Sequence, residues 1–240
     1  MPNQTDQPTT GTKRDDYDSP WKEALEAYFP EFLALMFPTI HAEIDWARGH
    51  AFLDKELQQV VRDAELGRRY ADKLAAVYAK DGTETWVLIH VEVQGEGEPD
   101  FDQRMYVYNY RLFDRYGVDI VSLAVLADNR PGHRPGEYRR HRWGCDLCFR
   151  FPVEKLLDWS ERWTDLEQSS NPFALVVMAH LNALESRDGV ARKRWKLHLI
   201  RLMYRRCYSR SQILELFRVI DWLLQLPEDL AQEFTRELIA

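Results

Sequence analysis

Cysteine is scarce in this sequence, and long hydrophobic runs are missing. The three cysteines, Cys145, Cys148 and Cys207, are too few and odd in number for a disulfide framework, which favours a reducing compartment. No stretch of about 18 apolar residues occurs, so we expect no membrane-spanning helix. The first residues contain no apolar segment of the kind found in signal peptides. These absences predict a cytoplasmic protein without a membrane partner.

Positive charge is in the minority, with 32 Lys and Arg against 39 Asp and Glu and a formal net charge of −7. A chain this acidic is not a general binder of polyanions, so contact with nucleic acid would need a local basic patch. The best candidate is "RPGHRPGEYRRHRW", which holds five arginines and two histidines. We expect Arg139 and Arg140 in this segment to contact DNA phosphates.

Signatures of several other enzyme classes are also missing. The serines and histidines form no G-x-S-x-G nucleophile motif. Cys145 and Cys148 have the spacing of half a zinc site, but the sequence offers no second pair.

Three segments of the chain differ in composition and residue pattern. Residues 1–18 are polar and predict a disordered tail. Residues 19–152 mix helical and strand patterns, including a helix in "DFDQRMYVYNYRLFDRYG" that Gly117 ends and a continuous apolar strand after it. Residues 153–240 show helical patterns only. The predicted fold class is α/β, with an α/β unit over residues 19–152 followed by a C-terminal helical bundle.

The strand in "DGTETWVLIHVEVQG" begins as a buried strand should and then ends in polar residues. Glu92 and Gln94 are two residues apart, so a strand would place both on one face. The preceding run "RRYADKLAAVY" and the Asp81-Gly82 pair predict a hairpin with this strand. Polar residues at a strand end often do no more than reach solvent, and that alternative stays open here.

The length of the hairpin turn decides whether Asp72 lies on the same sheet face as Glu92. A two-residue turn at Asp81-Gly82 would pair Asp72 with Val91 and place it on the face opposite to Glu92. A three-residue loop that includes Lys80, with Gly82 in the left-handed conformation, pairs Asp72 with His90 instead. Asp72 and Glu92 are then diagonal neighbours on one face, with Cβ atoms roughly 6–8 Å apart.

Two carboxylates at that separation can bridge a divalent cation, because each metal–oxygen bond spans about 2.0–2.5 Å. A site built from oxygen ligands alone suits Mg²⁺ or Mn²⁺. Gln94 would lie beside it and could orient a water or a phosphate oxygen. An acid of the first helix, Glu26 or Glu31, could complete the ligand set, although solvent exposure is the commoner fate of such residues.

Arg104 and Tyr108 are four residues apart in the helix that follows the strand, and hence on one helical face. They could hold a scissile phosphate. The alternative is helix packing for Tyr108 and a surface ion pair for Arg104.

The order of Asp72, a hairpin, Glu92-Val93-Gln94, a helix and an apolar strand resembles the PD-(D/E)XK nuclease superfamily. More narrowly, the chain resembles the bacterial recombination-promoting nuclease and transposase family. The segments that carry this likeness lie in residues 60–230 and are "RRYADKLAAVY", "DGTETWVLIHVEVQG", "FDQRMYVYNYRLFDRYG", "IVSLAVLAD" and "IDWLLQLPEDL".

This resemblance implies a restriction-endonuclease-like core, which is a central mixed sheet flanked by helices. It also implies that Asp72 and Glu92 ligate Mg²⁺, with the main-chain carbonyl of Val93 as a further ligand. It also implies that Gln94 takes the place of the superfamily's lysine. A lysine stabilises developing negative charge, whereas glutamine offers only a neutral donor. This difference from the superfamily therefore bears on the catalytic rate.

Together these features predict a Mg²⁺-dependent DNA endonuclease in which Asp72, Glu92 and Gln94 are the catalytic residues. The alternative is a nuclease-like scaffold with little or no activity that binds DNA or a protein partner. Assembly into a homo-oligomer is left open by the sequence.

Overall fold

The structure is a computed structural model that describes residues 18–63, 71–92, 100–186 and 188–239. Its α-helices are α1 (Asp18–Ala27), α2 (Phe29–Met36), α3 (Pro38–Glu43), α4 (Asp54–Asp63), α5 (Phe101–Tyr116), α6 (Trp163–Gln168), α7 (Phe173–Glu185), α8 (Gly189–Arg205), α9 (Arg210–Leu223) and α10 (Glu228–Ile239). Its strands are β1 (Ala51–Phe52), β2 (Ala71–Tyr78), β3 (Glu84–Glu92), β4 (Asp119–Leu126), β5 (Glu137–Arg142), β6 (Cys145–Arg150) and β7 (Val153–Lys155). Short 3-10 helices cover Trp46–Arg48 and Leu156–Ser160. The tail predicted over residues 1–18 lies outside the described residues, except that Asp18 begins α1.

The five-stranded sheet has the order β1-β2-β3-β4-β7. Strands β1, β2 and β3 are antiparallel neighbours, whereas β3, β4 and β7 run parallel. Helix α5 supplies the crossover that a parallel β3–β4 pair requires. The expected α/β class, with a mixed sheet flanked by helices and a helical C-terminal part, is therefore confirmed.

One strand lies where the sequence predicted helices only. Strand β7 pairs with β4 through Val153 to Lys155, and helices follow from Leu156. Three residues are too few to show a period of two, so sequence pattern alone does not reveal this strand.

The β2–β3 hairpin has the longer of the two connections considered above. Tyr78 pairs with Glu84, and the Ala79 amide donates to Thr83 O at 2.8 Å, which leaves Lys80, Asp81 and Gly82 as the loop. Gly82 has φ of 91°, a left-handed conformation that glycine adopts without strain. The three-residue loop is therefore confirmed.

The two faces of the sheet cover different cores. One face carries Ala75, Ile89 and Val125 and packs against α1, α2 and the C-terminal helices. The other face carries Leu74 and Leu88 and packs against α4 and α5. The α5 face is the one to which register assigns Asp72 and Glu92, since they are an even number of residues from Leu74 and Leu88.

Candidate functional site

The carboxyl ends of β3, β4 and β7 meet at one edge of the sheet, because these strands are parallel. The antiparallel strand β2 begins at the same edge, and its Asp72 pairs with His90. Glu92 lies two residues beyond His90, so the backbone register makes Asp72 and Glu92 diagonal neighbours on one face. The side chains of these two residues, and all of Val93 and Gln94, lie outside the part of the chain that the structure describes.

A buried ion pair joins β4 to β7 at this edge. The Lys155 ammonium donates to Asp128 Oδ2 at 2.7 Å, and both side chains are at most 1 % exposed. Register places Lys155 beside Leu126 and Leu126 beside Glu92. Lys155 is therefore two strands, or about 10 Å, from Glu92 across the sheet. Sequence pattern does not reveal this pair, and its one signal in the sequence is an aspartate that closely follows an apolar strand.

Asp128 also holds Arg130 at the same edge. Its Oδ1 accepts hydrogen bonds from the Arg130 amide at 2.8 Å and from Arg130 Nε at 3.3 Å. Burial alone would raise the pKa of the Asp128 carboxyl, but the hydrogen bonds from Lys155 and Arg130 outweigh burial and lower this pKa. Among the described residues, the buried atoms Arg130 Nη2 and His133 Nε2 have no hydrogen-bond partner. Arg130 Nη2 is therefore a donor at this edge that an incoming phosphate could satisfy.

Arg104 and Tyr108 lie on the face of α5 that packs against the sheet. Arg104 is 4 % exposed, with its guanidinium 5.5 Å from the Phe101 ring, and Tyr108 is 1 % exposed within the core beneath α4 and α5. The shared face that their spacing predicted is present. Their contact with DNA stays a prediction.

Glu26 lies across the sheet from the register positions of Asp72 and Glu92. Its carboxylate pairs with the buried Lys73, which also contacts Asp54 Oδ2 at 2.9 Å. Lys73 follows Asp72 directly in β2, so the two positions belong to opposite faces. This geometry argues against Glu26 as a third ligand.

The described side chains contain no cluster of three His, Cys, Asp or Glu residues that could hold a metal ion. Cys145 and Cys148 are three apart on β6 and thus on opposite faces, which prevents them from chelating one ion. The candidate metal site therefore depends on Asp72, Glu92 and Val93, of which the main chain of Asp72 and Glu92 is described. Register brings these two potential carboxylate ligands to neighbouring positions, which suits a hard cation.

The two arginines predicted to bind DNA lie on opposite faces of the β5–β6 hairpin. Arg139 pairs with Glu137 Oε1, and Glu137 Oε2 accepts a hydrogen bond from Arg150 Nε at 2.7 Å. The hydrogen bonds from Arg139 and Arg150 lower the pKa of the Glu137 carboxyl to about 2. Arg140 is exposed and has no carboxylate partner among the described residues. Arg140 is therefore the more available of the two for a phosphate.

No helix in the described ranges is long and apolar enough to cross a bilayer. Comparison of the chain with protein-family models, curated proteins and solved structures found no match.

Proposed function

We propose that this protein is a Mg²⁺-dependent DNA endonuclease with a restriction-endonuclease-like core, of the recombination-promoting type that the sequence resembles. The main support is the pairing of Asp72 with His90, which makes Asp72 and Glu92 neighbours on one face. A two-residue turn would have separated them. The order of antiparallel hairpin, crossover helix and parallel strand in β2, β3, α5 and β4 also agrees with such a core.

The proposed reaction is hydrolysis of a phosphodiester, in which water adds across one phosphorus–oxygen bond. A bound Mg²⁺ would polarise the phosphate and lower the pKa of a bound water. Asp72 and Glu92 would hold the cation, with the Val93 carbonyl as a further ligand. Gln94 orients the attacking water or a phosphate oxygen, because its amide both donates and accepts hydrogen bonds.

Positive charge for the phosphate has to come from elsewhere than position 94. Arg130 is the best-placed candidate, since Asp128 fixes its guanidinium at the carboxyl edge of the sheet. Lys155 is buried and acts through Asp128, by keeping that carboxylate ionised and oriented. Fixed charges near the reacting phosphate stabilise the charge that develops in the transition state.

The experiment that tests this function is nicking of supercoiled plasmid in Mg²⁺ or Mn²⁺, with an EDTA control. Nicking by the wild type should disappear in Asp72→Ala and in Glu92→Ala. Asp119→Ala is the matched control, because Asp119 is exposed at the opposite end of β4. Equal nicking by all four proteins would show that Asp72 and Glu92 are not catalytic.

The second candidate is a nuclease-like scaffold that binds DNA or a protein without useful catalysis. Gln94 favours it, because an uncharged amide replaces the superfamily's lysine. In this case the wild type binds its partner but nicks plasmid no faster than Asp72→Ala does.

A further inference from the structure

The tip of the β5–β6 hairpin has an unusual composition and conformation. Trp143 and Gly144 connect the strands with φ values of 47° and 80°, so both residues are left-handed, as in a type I′ turn. Asn-Gly is the usual pair in such a turn, and a bulky residue at positive φ is strained. Trp143 is also 91 % exposed. The turn is therefore strained at Trp143, and the indole of Trp143 lies outside the hydrophobic core.

One face of this hairpin has its charges paired internally. Glu137 binds Arg139 and Arg150, and His141 contacts Asp146. Cross-strand register puts all five residues on the same face. Little charge on this face is left to attract a partner.

The opposite face presents unpaired positive charge. Arg140 lies across from Leu147, and Arg142 lies across from Cys145. Among the described residues neither arginine has a carboxylate partner, and the Arg142 guanidinium is 4.9 Å from the Trp143 ring centroid. Two arginines and an indole thus form a continuous exposed surface at the end of the hairpin.

The base of the hairpin is fixed on α5 by aromatic packing. Tyr106 of α5 stacks on Tyr138 at 5.3 Å and contacts Phe149 at 5.8 Å. An isolated two-stranded hairpin is only marginally stable, so this packing holds the ribbon in place. Each strand has six residues, which extends the hairpin by about 20 Å. The tip thereby projects from an anchored base.

We propose that the β5–β6 hairpin binds duplex DNA as a two-stranded ribbon, with Arg140 and Arg142 on phosphates and Trp143 as a wedge against the bases. A ribbon of this kind fits the major groove, and exposed aromatic side chains stack on bases or open a base step. The choice of DNA rests on the proposed function. It also fits the local charge, because an acidic chain meets a polyanion only where arginines lack partners.

The first test compares two pairs of substitutions by fluorescence anisotropy with a labelled duplex in EDTA, where no cleavage occurs. Arg140→Gln with Arg142→Gln should weaken binding and reduce the slope of log K against log salt by about 2, since each phosphate contact contributes about 0.9. Arg139→Gln with Arg150→Gln removes the same charge from the internally paired face and should change this slope much less. Equal losses for the two pairs would overturn the proposal.

The second test separates binding from folding. Asn tolerates the left-handed conformation, so Trp143→Asn should leave the melting temperature unchanged or raise it. Affinity should nevertheless fall roughly tenfold, the usual scale for loss of one stacked base, with no change in salt slope. The proposal is overturned if Trp143→Asn binds the duplex as tightly as the wild type does. It is also overturned if the wild type does not bind the duplex, a result that would indicate a protein partner instead.

Plasmid nicking distinguishes failure of this proposal from failure of the proposed function. If the hairpin variants lose binding while the wild type fails to nick, the hairpin proposal stands and the nuclease does not. If the wild type nicks and the hairpin variants bind and nick equally well, the nuclease stands and the hairpin proposal does not.

Discussion

The buried side chain of His180 connects three parts of the chain through its hydrogen bonds. Trp21 Nε1 donates to His180 Nδ1 at 3.2 Å, and His180 Nε2 donates to Ala127 O at 2.8 Å. The first bond requires an unprotonated Nδ1, so the ring is neutral in the folded protein. Burial lowers the pKa of His180 to about 4.

This burial predicts a loss of stability in mild acid. The unfolded state binds a proton near the ordinary histidine pKa of about 6.5, whereas the folded state resists it until about pH 4. The contribution is therefore complete above pH 6.5 and is lost as the pH falls toward 4, by about 3 kcal/mol. Urea unfolding at several pH values measures it. His180→Gln should flatten that pH dependence, and an unchanged dependence would contradict the assignment.

Gly82 gives a prediction about the hairpin loop. Its φ of 91° strains any β-branched residue, while a Cβ atom there would have open space, at 4.0 Å from the nearest side-chain atom. Gly82→Val should therefore lower the free energy of unfolding by on the order of 1–2 kcal/mol through backbone strain alone. Gly82→Asn should lower it less, since Asn tolerates this region. Equal effects in denaturant unfolding would show that the loop relaxes.

Metal binding is expected at Glu92 and can be measured without catalysis. Mn²⁺ should raise the melting temperature of the wild type, because a ligand that binds only the folded state stabilises it. Glu92→Ala should show little of this shift. If the variant keeps the full shift, Glu92 is not a ligand.

Among the elements, the β2–β3 hairpin was predictable because its determinants are local. Gly82 and the alternating pattern on either side limited the connection to two registers. The pairing of Asp128 with Lys155 was not predictable, since the partners are 27 residues apart and β7 is too short for a periodic signal. The pairing of Glu137 with Arg139 follows from their two-residue spacing on a strand, which places both on one face. The second partner, Arg150, depends on cross-strand register, and sequence pattern does not reveal it. Sequence thus indicated the candidate site and its basic patch, while the ion pairs between distant residues depend on the fold.

The buried link between β4 and β7 predicts strong coupling between its two members. Asp128→Ala would leave the Lys155 ammonium buried without its carboxylate and should lower the free energy of unfolding by about 3–5 kcal/mol. Asp128→Ala combined with Lys155→Met removes the unpaired buried charge and should recover at least about 1 kcal/mol of the free energy of unfolding, as measured in urea. Additive effects of the two substitutions would contradict a direct pair.

At the scale of the whole molecule, one hydrophobic core spans both parts of the sequence. The sheet residues Ile89 and Val125 belong to the same buried cluster as Val177 of α7 and Ile220 of α9. The boundary predicted at residue 152 nevertheless stays a prediction, since a shared core does not define where domains divide.

The shared core predicts that the N-terminal part does not fold alone. A fragment of residues 19–152 would expose the apolar surfaces of α1 and α2 that pack against α9 and α7, which favours aggregation. We expect it to be insoluble or to lack a cooperative thermal transition by circular dichroism. Coexpression with residues 153–240 should restore solubility. A cooperative transition in the isolated fragment would show that the sheet and α1–α5 form an independent unit.

The position of α1 has a consequence for synthesis. Tyr28, which follows α1, donates through its hydroxyl to Glu215 of α9 at 3.1 Å, although the two residues are 187 positions apart. At the usual 5–20 residues per second, a ribosome needs about 10–40 s to make the intervening chain. Throughout that interval the surface of α1 that packs against α9 stays uncovered, although β2 can cover another part of the helix earlier. The core around α1 therefore closes only after translation has passed α9.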